Sequence, residues 1–224
     1  MCAKKRIALY GGTFDPVHVG HLEIARRVSE LFEIERVLFI PAQTAPHKIG
    51  RLVTDPLHRF AMLVLATQDD PKLKISTFEI EAPDRRYTVD TLAHFVNVLG
   101  DSSELFFIMG ADSWAEISTW RDWQRLLTMV NHIVVTRPGY RVEGPPSMSD
   151  RVKDIRSQPI PAKLDDCRSD TSVFLTDVVM NDVSATQIRS LANQRRFEEL
   201  EKLVSTPVAQ YIEKYGIYQE SNED

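Results

Sequence analysis

Short apolar runs alternate along the chain with longer stretches in which apolar residues recur every three or four positions. The run Ile7-Ala8-Leu9-Tyr10 predicts a buried strand over 5–10, stopped by Gly11-Gly12. Between 17 and 32 the residues Ile24, Val28, Leu31 and Phe32 approximate a helical stripe. Arg-Val-Leu-Phe-Ile over 36–40 predicts a second strand, ended by Pro41. Thr54-Asp55-Pro56 has the form of a helix start with proline in the first turn, the helix running to Ala66. A weaker strand is expected at 74–77, and a helix capped by Thr88 that runs to Leu99 and closes at Gly100.

The same alternation continues toward the C-terminus. Leu105 to Met109 predicts a strand ending at Gly110, followed by a helical stretch to Leu127 and a strand over 131–136. Residues 138–170 break the pattern: five of the twelve prolines lie here, with many charges, so a surface excursion is expected, with one short helix over 150–155. Val173 to Leu175 resumes as a strand. Ser184 opens a helix with Gln187 three positions on, the spacing of a capping box. Helices over 197–203 and 207–215 follow, with Gly216 as a stop and a polar, frayed tail at 219–224. Apolar strands that do not alternate are buried on both faces, so the class is α/β: a parallel sheet flanked by helices, with a small C-terminal helical part. The expected organisation is one domain, a core over 1–180 that carries the excursion, completed by a helical segment over 181–224.

Composition adds few constraints. The 224 residues are 43% hydrophobic and 26% charged, ordinary for a globular protein with one sizeable core. A net charge of -5 offers no global basic field, which argues against nucleic acid as a partner. An anionic ligand must be held by local charge or by backbone amides. The two cysteines, Cys2 and Cys167, form no CxxC pair, so neither a disulfide framework nor a zinc site is expected. With no apolar run long enough to span a bilayer and no signal-like start, no membrane partner and a cytoplasmic location are expected.

Chemistry concentrates in Gly11-Gly12-Thr13-Phe14-Asp15-Pro16-Val17-His18-Val19-Gly20-His21. A strand delivers the chain to two glycines, which let backbone approach a ligand closely. A helix follows with His18 and His21 three positions apart, a spacing that puts both imidazoles on one face near the helix N-terminus, a favourable place for phosphate. Each part alone has a plain structural reading, since glycine pairs make ordinary turns and lone histidines are usually structural. A pair of metal ligands finds no third partner at convincing spacing. The whole string is far more specific than its pieces. Lys48, in a proline-bounded loop after the second strand, can serve as a mobile positive charge. Ser184 to Arg189 pairs a second helix N-terminus with an arginine one turn along.

The eleven-residue string resembles the HxGH motif of the nucleotidyltransferase superfamily. In the form GGTFDPxHxGH it resembles bacterial nicotinate-nucleotide adenylyltransferases in particular. Pro46-His47-Lys48, Gly110-Ala111-Asp112 with Trp120 beyond it, and Ser184-Ala185-Thr186-Gln187-Ile188-Arg189, which is similar to the family's SSTxIR motif, follow in the family's order. Ala185 departs from that motif and removes one hydroxyl. The resemblance implies a Rossmann-like fold and transfer of the adenylyl group of ATP to nicotinate mononucleotide, with Mg²⁺ held mainly by the ATP phosphates. It implies catalytic roles for His18, His21, Lys48 and Arg189. ATP would contact Gly11, Gly12, Thr13, Phe14, Gly110, Asp112, Ser184, Thr186 and Ile188. Asp112 lies past a strand end, near the riboses, and has an N-cap as its plain alternative. For the mononucleotide, Trp120 would stack on the pyridine ring, Thr88 would hold the carboxylate and Arg137 would meet a phosphate. Trp114 and Trp123 are assigned to packing. Alternatives are adenylylation of nicotinamide mononucleotide, a pantetheine-phosphate adenylyltransferase, or a non-catalytic nucleotide sensor. A dehydrogenase is disfavoured because GxGxxG is absent after the first strand.

Overall fold

A computed structural model describes residues 4–43, 53–82, 87–136, 150–156, 171–177 and 183–219. Its seven strands are β1 (Lys5–Gly12), β2 (Arg36–Pro41), β3 (Leu73–Ile75), β4 (Ser103–Gly110), β5 (Asn131–Val135), β6 (Val152–Asp154) and β7 (Val173–Thr176). They form one sheet in the order β3-β2-β1-β4-β5-β7-β6, parallel at every pairing. The chain first winds outward from β1 to β3, then returns through a helix to β4 on the other side of β1. The β1/β4 pair is therefore the switch point, where the following loops diverge and open a crevice at the strands' carboxyl ends.

The helices are α1 (Val19–Leu31), α2 (Pro56–Thr67), α3 (Thr88–Leu99), α4 (Ala111–Ala115), α5 (Trp123–Met129), α6 (Ala185–Asn193), α7 (Phe197–Leu200) and α8 (Thr206–Lys214). Alternate residues of each central strand feed two cores. Ala8, Tyr10, Phe106, Ile108 and Ile133 join α1, α2 and α6 to α8 on one face. Leu9, Leu105, Phe107 and Val134 join α3, α4 and α5 on the other. Burial of both strand faces is the reason the strands read as unbroken apolar runs.

Local chemistry sets the helix starts. Asp55 caps α2, its carboxylate accepting from the Leu57 amide at 2.8 Å with Pro56 in the first turn. Ser184 caps α6 through the Gln187 amide at 3.2 Å. Gly216 takes φ 61 just past α8, the left-handed stop expected there.

Four expectations need correction. Residues 152–154 form a strand and not a helix: Val152 and Lys153 pair with Val173 and Phe174, and this edge pairing outweighs a weak helical pattern. The stretch from Gly110 to Leu127 is not one helix, because Asp122 sits at φ 51 and separates α5 from α4 and a short 3₁₀ turn at Ile117–Thr119. The cap of α3 is Tyr87 and not Thr88; the Asp90 carboxylate accepts from the Tyr87 amide at 3.4 Å, which moves the start one residue back. Likewise α1 begins at Val19, with His18 outside it as the N-cap. Most of the 138–170 excursion and the tail beyond 219 lie outside the described residues.

Candidate active site

The crevice is walled on one side by the β1–α1 turn. Phe14 takes φ 50, a left-handed conformation that costs a non-glycine residue roughly 1–3 kcal/mol and marks a turn held by its surroundings. Its ring curls back over Gly12, where an added Cβ would stand 2.8 Å from it, so only glycine fits. The Phe14 side chain is buried against Tyr10, Phe39 and His21, with centroids 5.4, 5.4 and 5.1 Å away. It is thus a wall for His21.

His18 and His21 come together as their spacing implies, but by a different device. His18 is the extended N-cap of α1 and His21 lies in its first turn. The His18 amide donates to His21 Nδ1 at 3.3 Å, and the two rings lie 3.7 Å apart at a tilt of 30°. An amide can only donate, so a neutral His21 carries its proton on Nε2. Burial pulls the His18 pKa from 6.5 down to about 4, so this ring is neutral at pH 7. Its Nδ1 is buried with no hydrogen-bond partner among the described residues. Gly20 is fully packed below it, and a Cβ there would stand 3.1 Å from that nitrogen. The helix-breaking glycine between the histidines makes room for the first ring.

The second wall comes from α6. Arg189 Nη1 donates to the Asp15 carbonyl at 2.7 Å and Nη2 to Thr186 Oγ1 at 3.0 Å. The arginine is thereby brought beside the β1–α1 turn, across 174 residues of sequence. Ser184 and Thr186 are exposed at the start of α6. Ile188 is not placed as expected: its side chain is fully buried in the first core and its amide donates to the Ser184 carbonyl, so it supports α6 from below. The missing hydroxyl at Ala185 leaves the Thr186 hydroxyl in place.

Beyond β4 the chain is open. Gly110 is exposed, and a Cβ there would meet no atom within 4 Å. Asp112 is exposed in the first turn of α4; Gly110 takes the cap position that was the alternative for Asp112. Trp120 is half-buried against the second core. The Arg121 guanidinium lies 4.6 Å over the Tyr87 ring and ties the tryptophan loop to the turn that carries Thr88. Trp114 is 1% exposed and belongs to packing. Lys48 and Arg137 lie outside the described residues.

Two supports escaped the sequence reading. Arg59, in the first turn of α2, has 0% exposure. It donates to the carbonyls of Thr13 (2.7 Å), Ala42 (2.7 Å), Gln43 (3.1 Å) and Thr54 (2.8 Å). Burial lowers its pKa from the usual arginine value, and the charge of nearby Asp15 opposes that shift. One guanidinium thus clamps the loops after β1 and β2. The second support is Tyr218, whose hydroxyl donates to Asp15 Oδ1 at 2.8 Å. In the sequence Arg59 is one residue of an expected helix and Tyr218 follows the expected Gly216 stop; only the buried carbonyls and carboxylate they meet reveal them.

The arrangement offers two imidazoles, a guanidinium and two helix starts around the β1/β4 crevice, with an aromatic ring on the far side of β4. Such a set suits a polyphosphate with a flat heterocycle. Among the described residues no group of three or more His, Cys, Asp or Glu is placed to hold a metal ion. No helix among them is long and apolar enough to cross a membrane.

The cytidylyltransferase-like family matches residues 9–191, a span that includes both histidines and Arg189. The chain is 37% identical over 219 residues to the "Probable nicotinate-nucleotide adenylyltransferase" of Thermoanaerobacter sp. (strain X514), covering 98% of this chain and 97% of that one. It is 37% identical over 214 residues to the protein of the same name from Desulfitobacterium hafniense (strain Y51), covering 96% of each. In fold it is similar to Plasmodium falciparum nicotinic acid mononucleotide adenylyltransferase complexed with NaAD, at TM-score 0.72, 18% identity and coverage of 96% and 97%. The same enzyme complexed with APC gives a TM-score of 0.70 at 19% identity, again covering 96% and 97%. The chain belongs to the cytidylyltransferase-like family of nucleotidyltransferases, among its nicotinate-nucleotide adenylyltransferases.

Proposed function

We propose that the chain transfers the adenylyl group of ATP to nicotinate mononucleotide, forming nicotinate adenine dinucleotide and pyrophosphate as a step in NAD biosynthesis. The observation that carries this reading is the His18/His21 pair, 3.7 Å apart beside the β1–α1 turn and joined there by Arg189. ATP lies across the β1/β4 crevice, its phosphates over the Gly11, Gly12, Thr13 and Phe14 backbone and the starts of α1 and α6. Ser184, Thr186, Gly110 and Asp112 complete its surroundings.

An oxygen of the mononucleotide phosphate attacks the α-phosphorus in line. A new P–O bond forms as the bond to the β-bridging oxygen breaks, and that electron pair leaves with pyrophosphate. The attacking phosphate is already anionic, so no covalent enzyme intermediate and no strong base are needed. Positioning and charge stabilisation supply the acceleration. His21 donates from Nε2 to the α-phosphate as charge builds, with His18 beside it. Lys48 and Arg189 hold the leaving pyrophosphate. Trp120 stacks on the pyridine ring, Thr88 and the adjoining α3 amides receive the carboxylate, and Arg137 meets the substrate phosphate.

Mg²⁺ would be held by ATP phosphates and water and would neutralise phosphate charge when bound; no cage of described side chains is needed for that role. A cytoplasmic location goes with the same reading. The test is a pyrophosphate-release screen from ATP with nicotinate mononucleotide, nicotinamide mononucleotide and phosphopantetheine as separate acceptors. Release is expected to be fastest with nicotinate mononucleotide and absent without an acceptor. Faster release with either other acceptor would replace the assignment.

A further inference from the structure

We propose that Tyr218, near the far end of the chain, is a positioning residue for the adenylyl transfer: through Asp15 it sets the place of the Arg189 guanidinium over the leaving pyrophosphate. This rests on the role given above to Arg189.

Asp15 is 4% exposed and is used from both ends. Its Oδ1 accepts from the Tyr218 hydroxyl at 2.8 Å, while its carbonyl accepts from Arg189 Nη1 at 2.7 Å. Its other carboxylate oxygen has only a long approach, 3.5 Å, from the Thr54 amide. The phenol is thus the close hydrogen-bond donor that fixes the carboxylate, and the carboxylate fixes the peptide whose carbonyl orients the arginine.

The chain end is shaped to deliver that hydroxyl. Gly216 turns at φ 61 out of α8, Ile217 anchors the turn in the first core at 8% exposure, and Tyr218 follows at φ 69. A tyrosine adopts that left-handed conformation seldom and only where its surroundings hold it. Burial, then the nearby Asp15 charge, raise the Tyr218 pKa, so the phenol stays a donor at every ordinary pH. A phenylalanine would fill the same space. The hydroxyl reaches Asp15, 203 residues away in sequence, and has the Thr54 side chain nearby.

The experiment is a double-mutant cycle on turnover, with Tyr218→Phe, Arg189→Ala and the pair, each checked for an intact fold by circular dichroism. Tyr218→Phe is expected to lower kcat by about tenfold, as a small displacement of a charge-stabilising group does, with KM for the mononucleotide unchanged. In the Arg189→Ala background the same substitution is expected to change kcat by less than twofold, because the group it positions is gone. Ile217→Val, which loosens the same turn without touching Asp15, is expected to keep wild-type kcat. A Tyr218→Phe kcat within twofold of wild type overturns the inference alone. So do losses that multiply in the double variant, or an equal loss in Ile217→Val. An Arg189→Ala protein with near-normal kcat overturns the Arg189 assignment and the inference with it.

Discussion

The His18 and His21 rings lie 3.7 Å apart because the His18 amide holds His21 Nδ1 while Gly20 leaves room for the His18 ring. The pair is organised by the helix start itself. His18 stands outside the helix and His21 reaches back to it, so the two rings are set by backbone geometry before any ligand arrives. Phe14 closes one side, its ring at 76° to His21. Preorganised donors of this kind need little rearrangement as charge develops.

Gly20 gives the sharpest test of that packing. Glycine to alanine within a helix ordinarily gains roughly 0.5–1 kcal/mol. Here the new methyl would stand 3.1 Å from His18 Nδ1 and push the ring away. Gly20→Ala is expected to keep or raise the melting temperature while cutting kcat by about tenfold or more. Thermal unfolding and steady-state kinetics on one preparation check this.

Arg59 makes four carbonyl contacts with no exposed surface. Arg59→Met is expected to destabilise the protein by about 3–5 kcal/mol, since Asp15 and the carbonyls lose their buried cation. At a melting shift of about 2–4 °C per kcal/mol for a chain of this size, the midpoint should drop by roughly 10 °C. Calorimetry measures it directly.

His132 sits on β5 with 0% exposure and neither ring nitrogen paired among the described residues. Burial lowers its pKa from 6.5 to about 3, the nearby Val130 backbone opposing that shift and the Arg151 charge adding to it. The unfolded chain therefore binds this proton between pH 6.5 and 3 while the folded chain does not. The contribution is fully present above pH 6.5 and is lost as pH falls, at up to about 1.4 kcal/mol per pH unit. Replacing the ring by an apolar one removes this dependence, so denaturant titrations of His132→Phe from pH 7 to 4 should show a shallower fall than wild type.

The parts of the fold legible in the sequence are those set by burial on both faces and by local caps. Ile7 to Tyr10, Val37 to Ile40, Leu105 to Met109 and Ile133 to Val135 read as strands because each is apolar throughout. Asp55 and Ser184 declared their helices by chemistry that acts within three residues. What was not legible depends on distant partners. Val152 becomes a strand only by pairing with Val173. Thr88 yields the cap to Tyr87 because Asp90 reaches the earlier amide. In the site, the histidines and Arg189 were visible as a motif. Arg59 and Tyr218 were not, since their roles exist through carbonyls and a carboxylate 5 to 203 residues away, most of them far along the chain.

The central claim is that His21 donates to the phosphate undergoing transfer. The most direct measurement is pyrophosphate release from ATP and nicotinate mononucleotide by His21→Ala beside the wild-type protein, with both confirmed folded. Loss of one such donor predicts a kcat lower by about 10²–10³-fold. Turnover within twofold of wild type would contradict the account.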